Sequence, residues 1–212
     1  DVETLVEKRY REARKSQEQV EAFEAALALA RENVRVRTRG FEEGVATSLD
    51  VVDARLSLAR VELGRLAAAR DFYTRVLGFR LTDFIRFGPG DSANFFHCNE
   101  RHHSIGLLKV GDMEGVHHLM LEARDIDMVG RCLQRAEDAG IPITSTLGRH
   151  ANDRMLSFYM ASPLGFEVEI GCEGLRVDEQ WTPAEFVEGD IWGHRGLDPE
   201  TGAVRWSAKS PV

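Results

Sequence analysis

The sequence predicts an α+β protein in two parts, an α-helical hairpin over residues 1–68 followed by β-α-β-β-β units over residues 69–212. The first part contains no His, Cys, Trp or Pro and is rich in Ala, Glu, Arg and Leu, a composition typical of helices. In the second part, short apolar runs alternate with turns rich in Gly, Pro and Asp, which is typical of strands. These two compositions set the predicted domain boundary near residue 68.

Apolar residues in the first part recur at alternating three- and four-residue steps, which predicts two helices packed as a coiled coil. The chain bends between them where Gly40 and Gly44 interrupt the pattern, and Thr47 with Asp50 forms a capping box that begins a new helix. We therefore expect an antiparallel hairpin with its tip near residues 39–48. The predicted seams consist of Val20, Phe23, Leu27, Ala30 and Val34 on the first helix and Leu49, Val52, Leu56, Ala59, Leu63 and Leu66 on the second.

The second part contains one complete β-α-β-β-β unit, over residues 116–170, preceded by a unit that supplies only α-β-β-β. Because the first strand of the earlier unit is missing, we expect a gap in its sheet and an unpaired edge. After Gly171 we predict a looser tail that packs over the barrel and frays at its end. The predicted helices are 71–77 and 126–139, and the predicted strands are 80–87, 94–98, 102–108, 116–123, 143–147, 155–160 and 166–170.

Composition excludes several classes of function. The net charge of -8 disfavours nucleic acid as a partner, because phosphate binding needs a basic patch. The sequence contains no apolar run that approaches the length of a membrane span. The cysteines, Cys98, Cys132 and Cys172, are odd in number and widely spaced, which predicts a reducing, cytoplasmic location. Apolar faces left unburied in both parts predict a homo-oligomer or other self-association.

His118 and Glu169 are the candidate metal ligands, because both lie on apolar strands that face each other across a small barrel. Glu167 and Glu169 form an acidic pair on one face of an apolar strand, and such a pair needs a cation, solvent or a hydrogen-bond network. Two imidazoles and one carboxylate with open positions are the arrangement of non-haem Fe(II) oxygenases. A single histidine on a strand is more often structural, and we predict that role for His97, His102, His117 and His194.

Five motifs in the second part resemble those of type I extradiol catechol dioxygenases of the vicinal-oxygen-chelate superfamily. Their order matches that of 2,3-dihydroxybiphenyl 1,2-dioxygenases, and the resemblance covers roughly residues 69–196, the catalytic half of such enzymes. The motifs are Phe-Tyr-Thr-Arg-Val-Leu-Gly-Phe at 72–79, His-Cys-Asn-Glu-Arg-His-His-Ser at 97–104, Val-His-His-Leu-Met-Leu-Glu at 116–122, Leu-Gly-Arg-His-Ala-Asn-Asp at 147–153 and Gly-Phe-Glu-Val-Glu at 165–169.

The resemblance implies a reaction that adds both atoms of O₂ across the ring bond next to the two hydroxyls of a bicyclic or steroid-like catechol. It implies Fe(II) as the cofactor, with His118 and Glu169 as metal ligands and His103 as the acid/base group. The catechol-binding residues that it implies are His150, Asn152, Asp153 and Tyr159, of which His150 and Tyr159 also take part in catalysis. Without the surrounding motif, Tyr159 would be predicted as a core residue.

The chain departs from the family at one metal ligand. In the family, a further histidine comes from the first strand of the preceding unit, upstream of the Phe-Tyr motif. Here residues 61–66 continue the helix, and the sequence has no histidine before His97. Iron would then keep two protein ligands, unless a rearranged His103 or a second chain supplies a third. The resemblance therefore implies weak iron binding and low or no activity.

The first part resembles a different family, the TolC-type outer-membrane efflux proteins, through residues 30–34 and 40–54 of the hairpin tip. That resemblance implies an alternative function, a helical binding module that docks onto an adaptor protein. A periplasmic hairpin and a cytoplasmic enzyme do not share a compartment. The sequence therefore also predicts an inactive chimera, with its junction near residues 63–69.

Overall fold

The computed structural model describes residues 2–88, 90–110 and 115–197, together with the backbone of residues 204–206. The chain divides into two compact units, Asp1–Arg80 and Leu81–Val212. Among the described residues, no helix combines the length and apolar character that crossing a membrane requires.

The first unit consists of helices α1 (Val2–Glu42) and α2 (Ser48–Asp71), and α2 continues into a π-helical turn at Phe72–Val76. The predicted capping box begins α2, because the Asp50 backbone N–H donates to the Thr47 hydroxyl and the Thr47 N–H donates to the Asp50 carboxylate at 2.8 Å. The helices run antiparallel, since Glu24 pairs with Arg65 while Arg37 lies near Asp50. The coiled-coil character of this pair stays a prediction.

The predicted seam on α2 is wrong. Leu49, Val52, Leu56 and Leu63 are each at least half exposed, whereas Ala54 is buried. The packed face of α2 contains Ala54 with the half-buried Val51, Leu58 and Val61, and a Cβ added at Gly64 would stand 2.6 Å from the Phe23 ring on α1. Periodicity identifies an apolar stripe but not which stripe meets the partner helix, and the close approach at Gly64 decides that here.

The second unit contains two sheets, and the smaller has the strand order β3-β2-β1-β8. Its strands are β1 (Arg80–Gly88), β2 (Asp91–His97), β3 (Ile105–Lys109) and β8 (Ala184–Phe186). The predicted strand at 102–108 begins later than expected, so His102 and His103 lie in the loop between β2 and β3.

The larger sheet contains the strand order β5-β6-β7-β4 and is extended at β5 by strands of the tail. Four strands and one helix form the complete unit predicted from the sequence: β4 (His118–Glu122), α3 (Ile126–Asp138), β5 (Ile143–His150), β6 (Leu156–Ala161) and β7 (Glu167–Cys172). Val129 of α3 packs on Phe158 and Ile170 of the sheet, which forms the main core. This packing fixes the strands that carry the candidate site.

Comparison of the two sheets shows where the earlier unit lacks its first strand. In the larger sheet β4 pairs in parallel with β7, which covers that edge. In the part of the chain that the structure describes, β3 pairs only with β2. The predicted gap is therefore present at β3.

The tail is more ordered than the sequence predicted. It adds β8 to β1 of the smaller sheet and adds β9 (Asp190–Trp192) and β10 (Gly196–Leu197) to β5 of the larger one, with β11 (Val204–Trp206) beyond β10. The sequence did not predict these strands, because runs of two or three residues are too short to show a period. The predicted frayed end lies largely outside the described residues.

Candidate active site

His118 and Glu169 lie on adjacent parallel strands. His118 opens β4, and Glu169 lies on β7 opposite Met120, one pleat further along the pair. The His118 Nε2 and Glu169 Oε2 atoms are 3.3 Å apart, and the Glu169 side chain is almost fully buried. The structure thus brings the two predicted metal ligands together.

His150 and Tyr159 complete the same cluster. His150 is the last residue of β5, and Tyr159 on β6 lies directly opposite Glu169. The His150 Nε2 atom is 2.8 Å from the Tyr159 hydroxyl and 3.3 Å from Glu169 Oε1. Because alternate residues of a strand share a face, the β5–β6–β7 pairing aims all three side chains at one point.

Asp190 and His194 support this cluster from the tail, and the sequence analysis did not assign them a site role. The Asp190 Oδ1 atom accepts hydrogen bonds from His150 Nδ1 at 2.7 Å and from His194 Nδ1 at 2.6 Å. The His194 Nε2 atom lies 3.0 Å from the Ser157 carbonyl oxygen, to which it can donate, and 3.1 Å from the Ser157 hydroxyl. An Asp-x-x-x-His spacing in a Gly-bounded segment is a weak signal, and only the pairing of β9 with β5 reveals its role.

The protonation states of the cluster suit a cationic ligand. Burial lowers the pKa of His118 to about 4, and the nearby Glu169 charge offsets that effect only in part. Burial would raise the pKa of Glu169, but the hydrogen bond and charge of His150 outweigh it and lower the pKa to about 2. At neutral pH His118 is therefore an uncharged electron-pair donor and Glu169 is ionised, as metal binding requires.

His150 and Tyr159 are set up as hydrogen-bond donors. Burial alone would lower the pKa of His150, but hydrogen bonds to the Asp190 and Glu169 carboxylates raise it to about 10. Burial, with the Glu169 charge, holds the pKa of the Tyr159 phenol well above its ordinary value. Both side chains therefore carry a proton at neutral pH.

Replacing Asp190 by Asn should lower the pKa of His150, because the strongest hydrogen bond to its charged form is lost. Folding raises the pKa of His150 from 6.5 to about 10. The stabilisation that the charged His150 ring gives the folded protein is therefore complete below pH 6.5 and is lost as pH rises through 10. In Asp190→Asn that loss should begin at lower pH, as measured by NMR titration of the imidazole and by urea unfolding at a series of pH values.

The exposed Glu188 provides the matched control for this change, because Glu188→Gln removes one carboxylate from the same segment. It should leave the His150 titration unchanged. An unaltered His150 pKa in Asp190→Asn would show that Asp190 does not hold the charge of that ring.

His103, Asn152 and Asp153 lie in loops near this cluster. The His103 Nδ1 atom is 3.7 Å from Asp153 Oδ2, and Asn152 Nδ2 donates to the buried Asp83 carboxylate at 3.4 Å. The His103 ring contacts the Phe95 ring, with 4.8 Å between centroids. Burial lowers the pKa of His103 although Asp153 opposes that effect, so the ring is neutral at pH 7. The structure thus places the predicted acid/base residue as an uncharged base.

The residues fit part of a non-haem iron site. Ligand atoms about 2.1 Å from one ion stand about 3 to 3.5 Å apart, and the 3.3 Å between His118 Nε2 and Glu169 Oε2 falls in that range. Among the described residues, these two do not form a group of three His, Cys or acidic donors within 4.8 Å of one another. The geometry of this pair is thus compatible with two of the three donors of a facial triad.

Comparison with known proteins shows the family. Residues 58–170, more than half of the chain, match the model of the Glyoxalase/Bleomycin resistance protein/Dioxygenase superfamily, and the chain belongs to that superfamily. Among its relatives are an iron-dependent extradiol dioxygenase of Rhodococcus jostii, 46% identical over 138 residues, and a biphenyl-2,3-diol 1,2-dioxygenase of Paraburkholderia xenovorans, 43% identical over 136 residues. The match to the first covers 60% of this chain and 46% of the relative, and that to the second 62% and 45%.

Solved structures show the same likeness. The crystal structure of a halotolerant catechol dioxygenase matches with a TM-score of 0.59 and 39% identity, over 66% of this chain and 47% of that one. The chain thus spans about half the length of these relatives. The family match begins at residue 58, inside α2. The efflux-type resemblance of residues 1–68, the predicted domain boundary and the chimera interpretation stay predictions.

Proposed function

We propose that this chain is an Fe(II)-dependent extradiol dioxygenase that cleaves a bicyclic catechol of the biphenyl-2,3-diol type with O₂. The observation that carries the proposal is the cluster of His118, Glu169, His150 and Tyr159, in which a metal-binding pair adjoins two hydrogen-bond donors. The relatives named as extradiol and biphenyl-2,3-diol dioxygenases support the substrate class. A cytoplasmic location and self-association belong to the same proposal.

In this proposal His118 and Glu169 hold the iron, which when bound supplies Lewis-acid and oxygen chemistry. Protonated His150 and the Tyr159 phenol donate hydrogen bonds to a catechol oxygen as negative charge develops there. Neutral His103 takes a proton from a catechol hydroxyl and later returns it. The buried Asn152 and Asp153 hold the wall of the pocket beside His103.

The proposal includes weak iron binding. A site with two protein donors leaves more of the coordination shell to water, so we expect a lower affinity than a site with three donors has. The structure supports this expectation, because the segment in which the third histidine of the family would lie is the helix α2.

The test is an anaerobic Fe(II) titration of the whole chain, followed by 2,3-dihydroxybiphenyl and air. We expect weak but saturable iron binding and O₂ uptake coupled to formation of the yellow ring-cleaved product. Glu169→Gln, which keeps the shape of the side chain and removes its charge, should abolish both. Saturable iron binding with neither O₂ uptake nor product, or product formation that survives Glu169→Gln, would contradict the proposal.

A further inference from the structure

The helix α2 carries a heptad stripe of apolar side chains that α1 leaves uncovered. All members of this stripe except Leu66 are exposed, and Leu49 at its start is 65% exposed. Steps of three and four residues place the stripe at positions a and d of a heptad, the pattern that packs one helix against another. The stripe, which we call the outer seam, consists of Leu49, Val52, Leu56, Ala59, Leu63 and Leu66.

The helix α1 occupies the opposite side of α2. Val51, Ala54, Leu58 and Val61 lie on that side and are buried or half-buried. They are positions c and f of the heptad in which Leu49 is position a. Because positions c and f point away from positions a and d around the helix, α2 can contact α1 and a further helix at the same time. The outer seam is therefore available while the hairpin stays intact.

The outer seam is complementary to itself when a second copy of the chain lies antiparallel to it. A two-fold axis at the centre of the seam joins a position a of one copy to a position d of the other in every layer. Each layer then contains at least one leucine, and none contains a polar residue. The layers pair Leu49 with Leu66, Val52 with Leu63 and Leu56 with Ala59 of the second copy.

The charges that flank the seam fit the same alignment. Asp53, at a position e, comes beside Arg60 of the second copy. Arg55, at a position g, comes beside Glu62 of the second copy. The two-fold axis repeats both pairs, so four pairs of opposite charge flank the antiparallel seam. Charges at positions e and g set the partner and the orientation of a coiled coil.

The same charges disfavour a parallel pair of α2 helices. In a parallel coiled coil, a position g lies beside the position e of the next heptad of the partner helix. Arg55 would then lie beside Arg60 of the second copy, and the symmetry would repeat this repulsion. Asp53 would lie beside Ser48 and gain no opposite charge. The sequence of α2 therefore favours the antiparallel orientation.

We infer that the outer seam docks onto the outer seam of a second copy of this chain, as a two-fold antiparallel coiled coil. The seam covers fewer than about three heptads, so the dimer is weak and reversible. Because α1 already holds α2 as a helix, association does not have to order it again. This inference names the surface of the self-association proposed above. Its readout is assembly and not ring cleavage, so its failure is distinguishable from failure of the dioxygenase proposal.

The first test is sedimentation equilibrium of the whole chain over a series of protein concentrations. The wild-type chain should shift reversibly from monomer to dimer. Leu56→Glu places a carboxylate at the centre of the seam in both copies and should weaken dimerisation by more than about a hundredfold. Leu56 is 50% exposed in the single chain, so the hairpin should keep its fold, which circular dichroism checks.

Leu29→Glu is the matched control, because Leu29 is a 74% exposed leucine on α1. It should leave dimerisation unchanged. A wild-type chain that stays monomeric at every concentration would overturn the inference, as would a dimer that survives Leu56→Glu. A dimer lost in Leu29→Glu and retained in Leu56→Glu would assign the interface to α1 instead.

The second test determines the orientation of the helices. Asp53→Arg and Arg60→Glu each replace two attractive pairs by two repulsive ones in the antiparallel dimer and should weaken it by at least about tenfold. An equal mixture of the two variants should dimerise like the wild type, because every new charge then meets its opposite. Both positions are exposed. In a parallel dimer Arg60→Glu would face Arg55, so tighter dimerisation of this variant would overturn the antiparallel arrangement, as would a mixture no tighter than its components.

Discussion

Gly148→Ala should destabilise the second unit by about 3 kcal/mol, the upper end of the cost of overpacking a well-packed site. A Cβ at position 148 would stand 2.4 Å from the His194 backbone nitrogen and 2.6 Å from its ring. Because the first contact is with backbone, no side-chain rotation relieves it. The clash would push the Asp190–His194 segment away from β5, and with it the carboxylate that holds His150. Urea unfolding measures the loss.

Gly130→Ala is the control for this substitution. Gly130 lies in the middle of α3, and a Cβ there would meet no atom within 4 Å. Alanine should stabilise this helix by up to about 1 kcal/mol. An ordinary surface substitution changes the free energy of unfolding by about 0.5 kcal/mol. If the free energy of unfolding of Gly148→Ala lies within that range of the wild-type value, His194 does not approach β5 as closely as the structure shows.

His103→Gln should lower the kcat of catechol cleavage by about 10² to 10⁴-fold, the usual contribution of a general acid/base group. Burial keeps this imidazole neutral, so it is ready to accept a proton, whereas an amide cannot. The measurement is steady-state cleavage of 2,3-dihydroxybiphenyl by the iron-loaded chain, with iron stoichiometry determined for each variant. We expect kcat to fall while KM and bound iron stay close to wild type.

Cys98→Ser is the matched control, because Cys98 is an exposed residue of the same loop, and its change should leave kcat unaltered. A kcat for His103→Gln within threefold of wild type would exclude the acid/base role. A parallel loss of bound iron would show instead that His103 acts as a ligand of the catalytic metal.

Local patterns were enough to predict much of the fold. The capping box at Thr47 begins α2 where expected, and the strand–helix–strand order of residues 116–170 is observed. The missing first strand was also predictable, because the heptad pattern runs through the segment where that strand would lie. Each of these features depends on residues within about one or two turns of one another, so a period or a motif records it.

The candidate site was predictable as a set of residues but not as a network. The resemblance assigned roles to His118, Glu169, His150 and Tyr159, and the structure places these four in contact. It assigned no role to Asp190, which accepts from both His150 and His194, and the sequence analysis predicted only a structural role for His194. Asp190 is 40 residues from His150 along the chain, and the two meet only because β9 pairs with β5.

By itself, then, the sequence determined the two-part α+β architecture, the order of the elements and the residues that resemble an iron site. Only the tertiary structure decided which stripe of α2 faces α1, where the tail strands pair and which carboxylate supports each histidine. The reason is physical: helix and strand periods are set by neighbours in the chain. Contacts between distant segments set the direction of a helix face, the docking of a three-residue strand and the partner of a buried imidazole.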